Sequence, residues 1–286
     1  MKPHNALQEY IKSSELRVII DGVFSARMSS DIAKNFDAGK YNIAISEHKK
    51  SIVELETMNI IYHAKARPVF YMYIVPDENF IELLNYPYKD RKGGGRPVDS
   101  YDMDSFNSAY GTSQNLLDYV DELPIDKHIN NIHEYAHLIQ GQFGYKSNMF
   151  AEGFAELVPW YVLEYEKLVA SHVESIKGMK KIYTANELLN SVSFSDRVPG
   201  KTCSFQPSYV SSYLWVRSVV EHIRVKYNLS RIGAVQKFLE LYRMVKFDKQ
   251  WFVMDLANEI DMDVDKLLDS VEYQVEQVNQ IIKEVK

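Results

Sequence analysis

The chain is poor in cysteine, in long apolar runs and in clustered positive charge. A single cysteine, Cys203, among 286 residues excludes an intrachain disulfide framework and any zinc site built on two or four thiolates. No stretch of 18 consecutive apolar residues occurs, so a membrane-spanning helix is not expected. The opening residues MKPHNALQEYIKSSELRVII lack the uninterrupted apolar core of a secretory signal, which makes a cytoplasmic location the expectation. Lys and Arg number 33 against 39 Asp and Glu, a net charge of −6 with no basic stripe. Neither a nucleic acid nor a membrane surface is therefore an expected partner. No segment repeats at a period of 20–50 residues, which argues against a solenoid.

What is present is the composition of a folded body: 46% hydrophobic and 25% charged residues, with 20 tyrosines. The length suits two domains or one two-lobed unit. Leu16 to Ile20 reads as a short strand stopped by Asp21 and Gly22. The run 69–75, VFYMYIV, is aromatic and β-branched and ends at Pro76, the strongest strand signal in the chain. Residues 43–58 read as a helix. The segment 88–98, YKDRKGGGRPV, lacks the Gly-Lys-Ser/Thr of a phosphate-binding loop and reads as a flexible surface loop. From Pro124 onward the periodicity is helical, with helices expected at 149–168, 185–192, 207–227, 231–245 and 264–285. Thr184 with Glu187 has the spacing of a capping box, and Pro207 and Ser230 sit where helices should begin. In the last helix, Val264, Leu267, Leu268, Val271, Val275, Val278, Ile281 and Ile282 form an apolar stripe, read as core packing in preference to a dimer seam.

The chemistry is concentrated in HEYAH at 133–137. Two histidines four residues apart turn through about 400° of helix and so leave one face about a turn apart, where both imidazoles can reach one metal ion. Glu134, beside the first ligand, then lies where a general base is needed. Fourteen residues separate His137 from Glu152 in the segment EGFAE. Gly141 and Gly144 can end the first helix, and Ser147 or Asn148 can cap a second that carries Glu152 in its first turn. A short connection packs two helices side by side and returns Glu152 towards the histidines as a third ligand. Glu156 falls one turn further on the same face, where its carboxylate can accept from a ligand imidazole.

HEYAH followed by EGFAE resembles the gluzincin zinc metallopeptidases, in which the two His of HExxH and a later Glu bind zinc. The likeness extends to the aminopeptidase-like and collagenase-like branches and to wider families with a later EGxAE. It covers about residues 105–245. The resemblance implies one Zn²⁺ per chain on His133, His137 and Glu152, with Glu134 as general base. The spacing of the aminopeptidase branch would select Glu156 as ligand, whereas the Glu-Gly-x-Ala context selects Glu152. The segment YVSSYLWV at 209–216 resembles the helix whose tyrosine supports the oxyanion, which implies Tyr209, with Tyr213 in reserve; His222 is a further candidate. The Gly-x-Met-Glu-Asn segment that holds a substrate amine in the aminopeptidases is missing. Residues 107–112 stand where the group places a strand lining the substrate cleft.

The implied fold is α+β and thermolysin/gluzincin-like. An N-terminal mixed α/β sheet lobe, 1–123, would precede an active-site helix and a mainly helical lobe, 124–286. The implied function is hydrolysis of a peptide or protein substrate. The alternative is a non-catalytic zinc-binding scaffold or interaction protein, and the oligomeric state is left open. Asp261, Asp263, Asp265 and Glu272 match positions 1, 3, 5 and 12 of a calcium loop, but Lys266 replaces the glycine that its sharp turn needs, so that reading is set aside.

Overall fold

Short β-branched and aromatic runs pair into a ladder in the first part of the chain. The computed structural model describes residues 16–21, 24–35, 70–76, 78–83, 95–97 and 108–113, five helical positions between 129 and 137, then 147–194, 206–244 and 249–285, besides Glu9. The chain divides into two compact units, Met1–Gln142 and Phe143–Lys286.

In the first unit, β1 (Leu16–Asp21) pairs antiparallel with β2 (Phe24–Ser29), from Leu16↔Ser29 to Asp21↔Phe24. A short helix, α1 (Ser30–Asn35), follows directly, with Ser29 Oγ accepting from the Ile32 amide at 3.3 Å. β3 (Phe70–Val75) runs parallel to β2, and a one-turn helix, α2 (Phe80–Leu83), follows it. β4 (Gly95–Pro97) and β5 (Ser108–Ser113) complete the order β1-β2-β3-β5-β4, with β5 parallel to β3 and β4 antiparallel at the edge. Proline is tolerated on such an edge strand, where its missing N–H costs no ladder bond. Residues 95–97 are thus strand where a surface loop was expected. The helix expected at 43–58 lies outside the described residues.

The α+β expectation does not hold. About 74% of the described region is helical. Among the described residues the strands are runs of three to six residues, too little for the mixed α/β lobe of a thermolysin-like protein. The physical reason is where the burial lies. Side chains such as Phe150, Trp160, Trp215, Phe238 and Phe252, each at most 1% exposed, belong to helices.

The second unit opens at Ser147, whose Oγ accepts from the Phe150 amide and caps α3 (Asn148–Leu157). Pro159 has no N–H to offer the preceding turn, and the helix widens into a π turn over Val158–Val162, closed by the Leu163 amide on the Val158 carbonyl at 3.0 Å. Glu164, at φ 58°, then leads into a 3₁₀ turn, Tyr165–Lys167, and α4 (Ala170–Lys177). The single helix expected at 149–168 is therefore three distinct pieces. The expected capping box is present at α5 (Ala185–Asn190): Thr184 Oγ1 accepts from the Glu187 amide and Glu187 accepts from the Thr184 amide.

Pro207 opens α6 (Pro207–Lys226), the longest described helix. It packs on α3 at Gly153, where an added Cβ would stand 2.6 Å from the Ser212 carbonyl oxygen and 2.7 Å from Val216 Cγ2. Around this crossing Phe150 meets Trp215 edge-on at 5.5 Å and Phe252 at 4.7 Å, drawing in α7 (Arg231–Met244) and α8 (Lys249–Glu259). The last expected helix is two, α9 (Val264–Asp269) and α10 (Glu272–Glu284). On α10 the buried residues are Gln274, Gln277 and Ile281, while Val275 is 41% exposed, so of the stripe on this helix Ile281 alone is fully buried and it shares that face with two glutamines. The acidic positions of the rejected calcium loop have other partners. Asp263 caps α9, Asp261 pairs with Lys226 and Glu272 with Lys266. No helix among the described residues is long and apolar enough to cross a membrane.

Candidate metal centre

Positions 129, 132, 133, 136 and 137 are helical. Ile129, Ile132 and Ala136 are buried and give this helix its apolar side. His133 is buried and His137 half-buried, and their Nε2 atoms lie 3.1 Å apart with the rings nearly perpendicular, at 86°. Zinc–nitrogen bonds of about 2.0–2.1 Å spanning that separation subtend about 100°, close to tetrahedral. The same distance also suits one imidazole N–H donated to the other ring. Glu134 lies outside the described residues.

Glu152 stands in the second turn of α3, half-buried, one residue before the Gly153 crossing. The glycine of the Glu-Gly-x-Ala context therefore has a packing reason: any side chain there meets the α6 backbone. Glu156 is buried one turn on and accepts the indole N–H of Trp160 at 2.6 Å. The His172 ring lies flat on that indole, centroids 3.6 Å apart and planes within 3°. Burial pulls the His172 pKa down to about 4, with Arg217 adding to the effect and the Glu156 charge opposing it. Of the three expected ligands, His133 and His137 belong to the first unit and Glu152 to the second, and together they supply the two imidazoles and one carboxylate of the expected donor set.

The tyrosines on α6 differ in their surroundings. Tyr209 is half-buried and meets Phe194 edge-on at 5.7 Å. Tyr213 is fully buried, donates to Glu166 Oε2 at 2.7 Å and accepts from Arg217 at 3.1 Å. Burial, foremost, raises its pKa well above the usual phenol value. A hydroxyl so engaged is not available to an oxyanion. His222 is half-buried between Glu221 and Ile223 on the same helix.

Behind these residues lies a polar cluster that no sequence pattern announces. Arg217, fully buried, pairs with buried Glu166 and donates to Gln277 Oε1 at 3.1 Å and Glu284 Oε2 at 3.3 Å. Its guanidinium and that of Arg231 lie 4.9 and 4.8 Å from the Tyr161 ring centroid, and the Tyr161 hydroxyl donates to Glu221. The hydrogen-bonded pairs join residues 51 to 67 positions apart, beyond any local pattern. Trp160 was legible in principle, because Glu152, Glu156 and Trp160 recur at i, i+4 and i+8. Comparison with known proteins yields no matching family model and no matching curated sequence. The gluzincin likeness therefore stands on its two short motifs.

Proposed function

We propose that the chain is a zinc-dependent peptidase of gluzincin type, acting in the cytoplasm, with His133, His137 and Glu152 holding one Zn²⁺. The observation that carries the reading is the 3.1 Å approach of the two histidine Nε2 atoms from one helix. The chemistry of the donors supports zinc, since two imidazoles and a carboxylate leave a fourth position open, as catalytic sites require. Bound there, the ion would lower the pKa of water towards about 7 and polarise a carbonyl.

The chain's own residues supply the proton chemistry. The Glu134 carboxylate takes a proton from the attacking water and delivers it to the leaving amine nitrogen. The Tyr209 hydroxyl donates to the oxygen that gains charge as the scissile carbonyl becomes tetrahedral. Without an amine-anchoring segment, the reading carries no preference for chain ends. A Glu134→Gln chain is expected to keep its zinc and to lose chelator-sensitive cleavage of a quenched peptide library by at least about 100-fold. Unaltered cleavage by that variant would overturn the mechanism. Stoichiometric zinc in the parent without any cleavage would favour the scaffold alternative.

A further inference from the structure

We propose that the outward face of α10 is a seam at which two copies of this chain pair, helix against antiparallel helix. An amphipathic surface helix ordinarily turns its apolar row to the body and its polar side to water. The α10 helix does nearly the reverse. The side chains it buries are Gln274, Gln277 and Ile281, and polar bonds fasten that side down. Gln274 donates to the Tyr183 carbonyl at 3.0 Å and Gln277 accepts from Arg217 at 3.1 Å. Glu284 accepts from Arg217 at 3.3 Å and from Arg231 at 2.9 Å. The apolar row lies beside this anchored face. Val275 is 41% exposed, and Val271, Val278, Ile282 and Val285 are half-buried.

The spacing of that row points to a second copy as its cover. Val271, Val275, Val278, Ile282 and Val285 recur at intervals of four, three, four and three, the heptad seam by which helices pair. An antiparallel pair that sets Val278 against Ile282 of the second copy also sets Val275 against its Val285. Two copies related by a twofold axis near Asn279 therefore cover the row from Val275 to Val285. The same arrangement brings exposed Glu276 of one copy level with exposed Lys283 of the other, twice over. Neither residue has an ion-pair partner among the described residues, so each charge finds its opposite across the seam. A helix of 13 residues is about 20 Å long, and a seam of that length buries less than the roughly 1,200 Å² of a stable complex. The pairing is therefore weak, with a dissociation constant on the order of tens of micromolar.

The test is sedimentation velocity of the full chain from about 1 to about 300 μM, which reads the monomer–dimer equilibrium directly. The wild type is expected to pass from monomer to dimer within that range. Val275→Glu, a change at an exposed position, is expected to weaken pairing at least ten-fold or so while leaving the unfolding midpoint unchanged. Glu276→Lys and Lys283→Glu should each weaken it about two- to five-fold, and the double swap should restore it. A chain that stays monomeric throughout would overturn the proposal and leave the row to a different protein or to a lipid surface. A dimer indifferent to Val275→Glu would overturn it as well, since the copies would then meet on another face. Failure of the double swap to restore pairing would overturn the antiparallel register.

Discussion

Gly153 shows how one residue joins a candidate ligand to the body of its unit. An added methyl would stand 2.6 Å from a backbone oxygen of α6, a contact that a side-chain rotation does not relieve. Gly153→Ala is expected to destabilise by about 1–3 kcal/mol in denaturant titration, since one helix must move off the other. An unchanged midpoint would show that the crossing is looser than described. His172 makes a prediction in pH. Its folded pKa of about 4 lies below the unfolded value near 6.5, so the unfolded chain binds the extra proton between those limits. Its contribution to stability is complete above about pH 6.5 and is lost as pH falls towards 4, at up to about 1.4 kcal/mol per pH unit. Denaturation from pH 7 to 4.5 should show that slope, and His172→Phe, which keeps a flat ring on Trp160, should flatten it. Equal slopes in both chains would contradict the assignment.

At the scale of the element, α6 is held by a charge that has no access to water. Arg217→Ala would leave Glu166 buried without its cation, a loss of about 3–5 kcal/mol in unfolding free energy. The parent and variant unfolding curves measure it directly, and a loss under about 1 kcal/mol would mean that water reaches the pair. The same cluster explains why some elements were legible in the sequence and others were not. Pro207, the Thr184 capping box and the aromatic run at 70–75 announce themselves because their causes are local: a fixed φ, a reciprocal side-chain bond, a preference for the pleat. The burial of Gln274 and Gln277 answers instead to polar groups far away in the chain. Gln277 receives Arg217, and Gln274 donates to the Tyr183 carbonyl 91 residues earlier. An apolar-stripe reading assigns that face to Val275 and its neighbours because it has no means of seeing the arginine. The π turn was likewise hidden, although Pro159 is its local cause. Periodicity alone continues the helix straight through it.

For the whole molecule, the helical second half was legible from its periodicity, whereas the small share of strand among the described residues was not, because the strand runs are conspicuous in composition yet short in extent. The candidate site was legible to a greater degree. HEYAH places two imidazoles on one helix face by spacing alone, and the structure turns their Nε2 atoms towards each other. What spacing did not reveal is that Glu156 takes the Trp160 indole N–H and that His172 stacks on that indole. The central claim is that the pair of histidines holds zinc. The most direct test is elemental analysis of the purified chain, beside a His137→Ala sample confirmed to be folded. The account predicts about one zinc per wild-type chain and essentially none in the variant. No zinc in either, in preparations never exposed to chelator, would contradict it and leave the 3.1 Å contact as a hydrogen bond between two imidazoles.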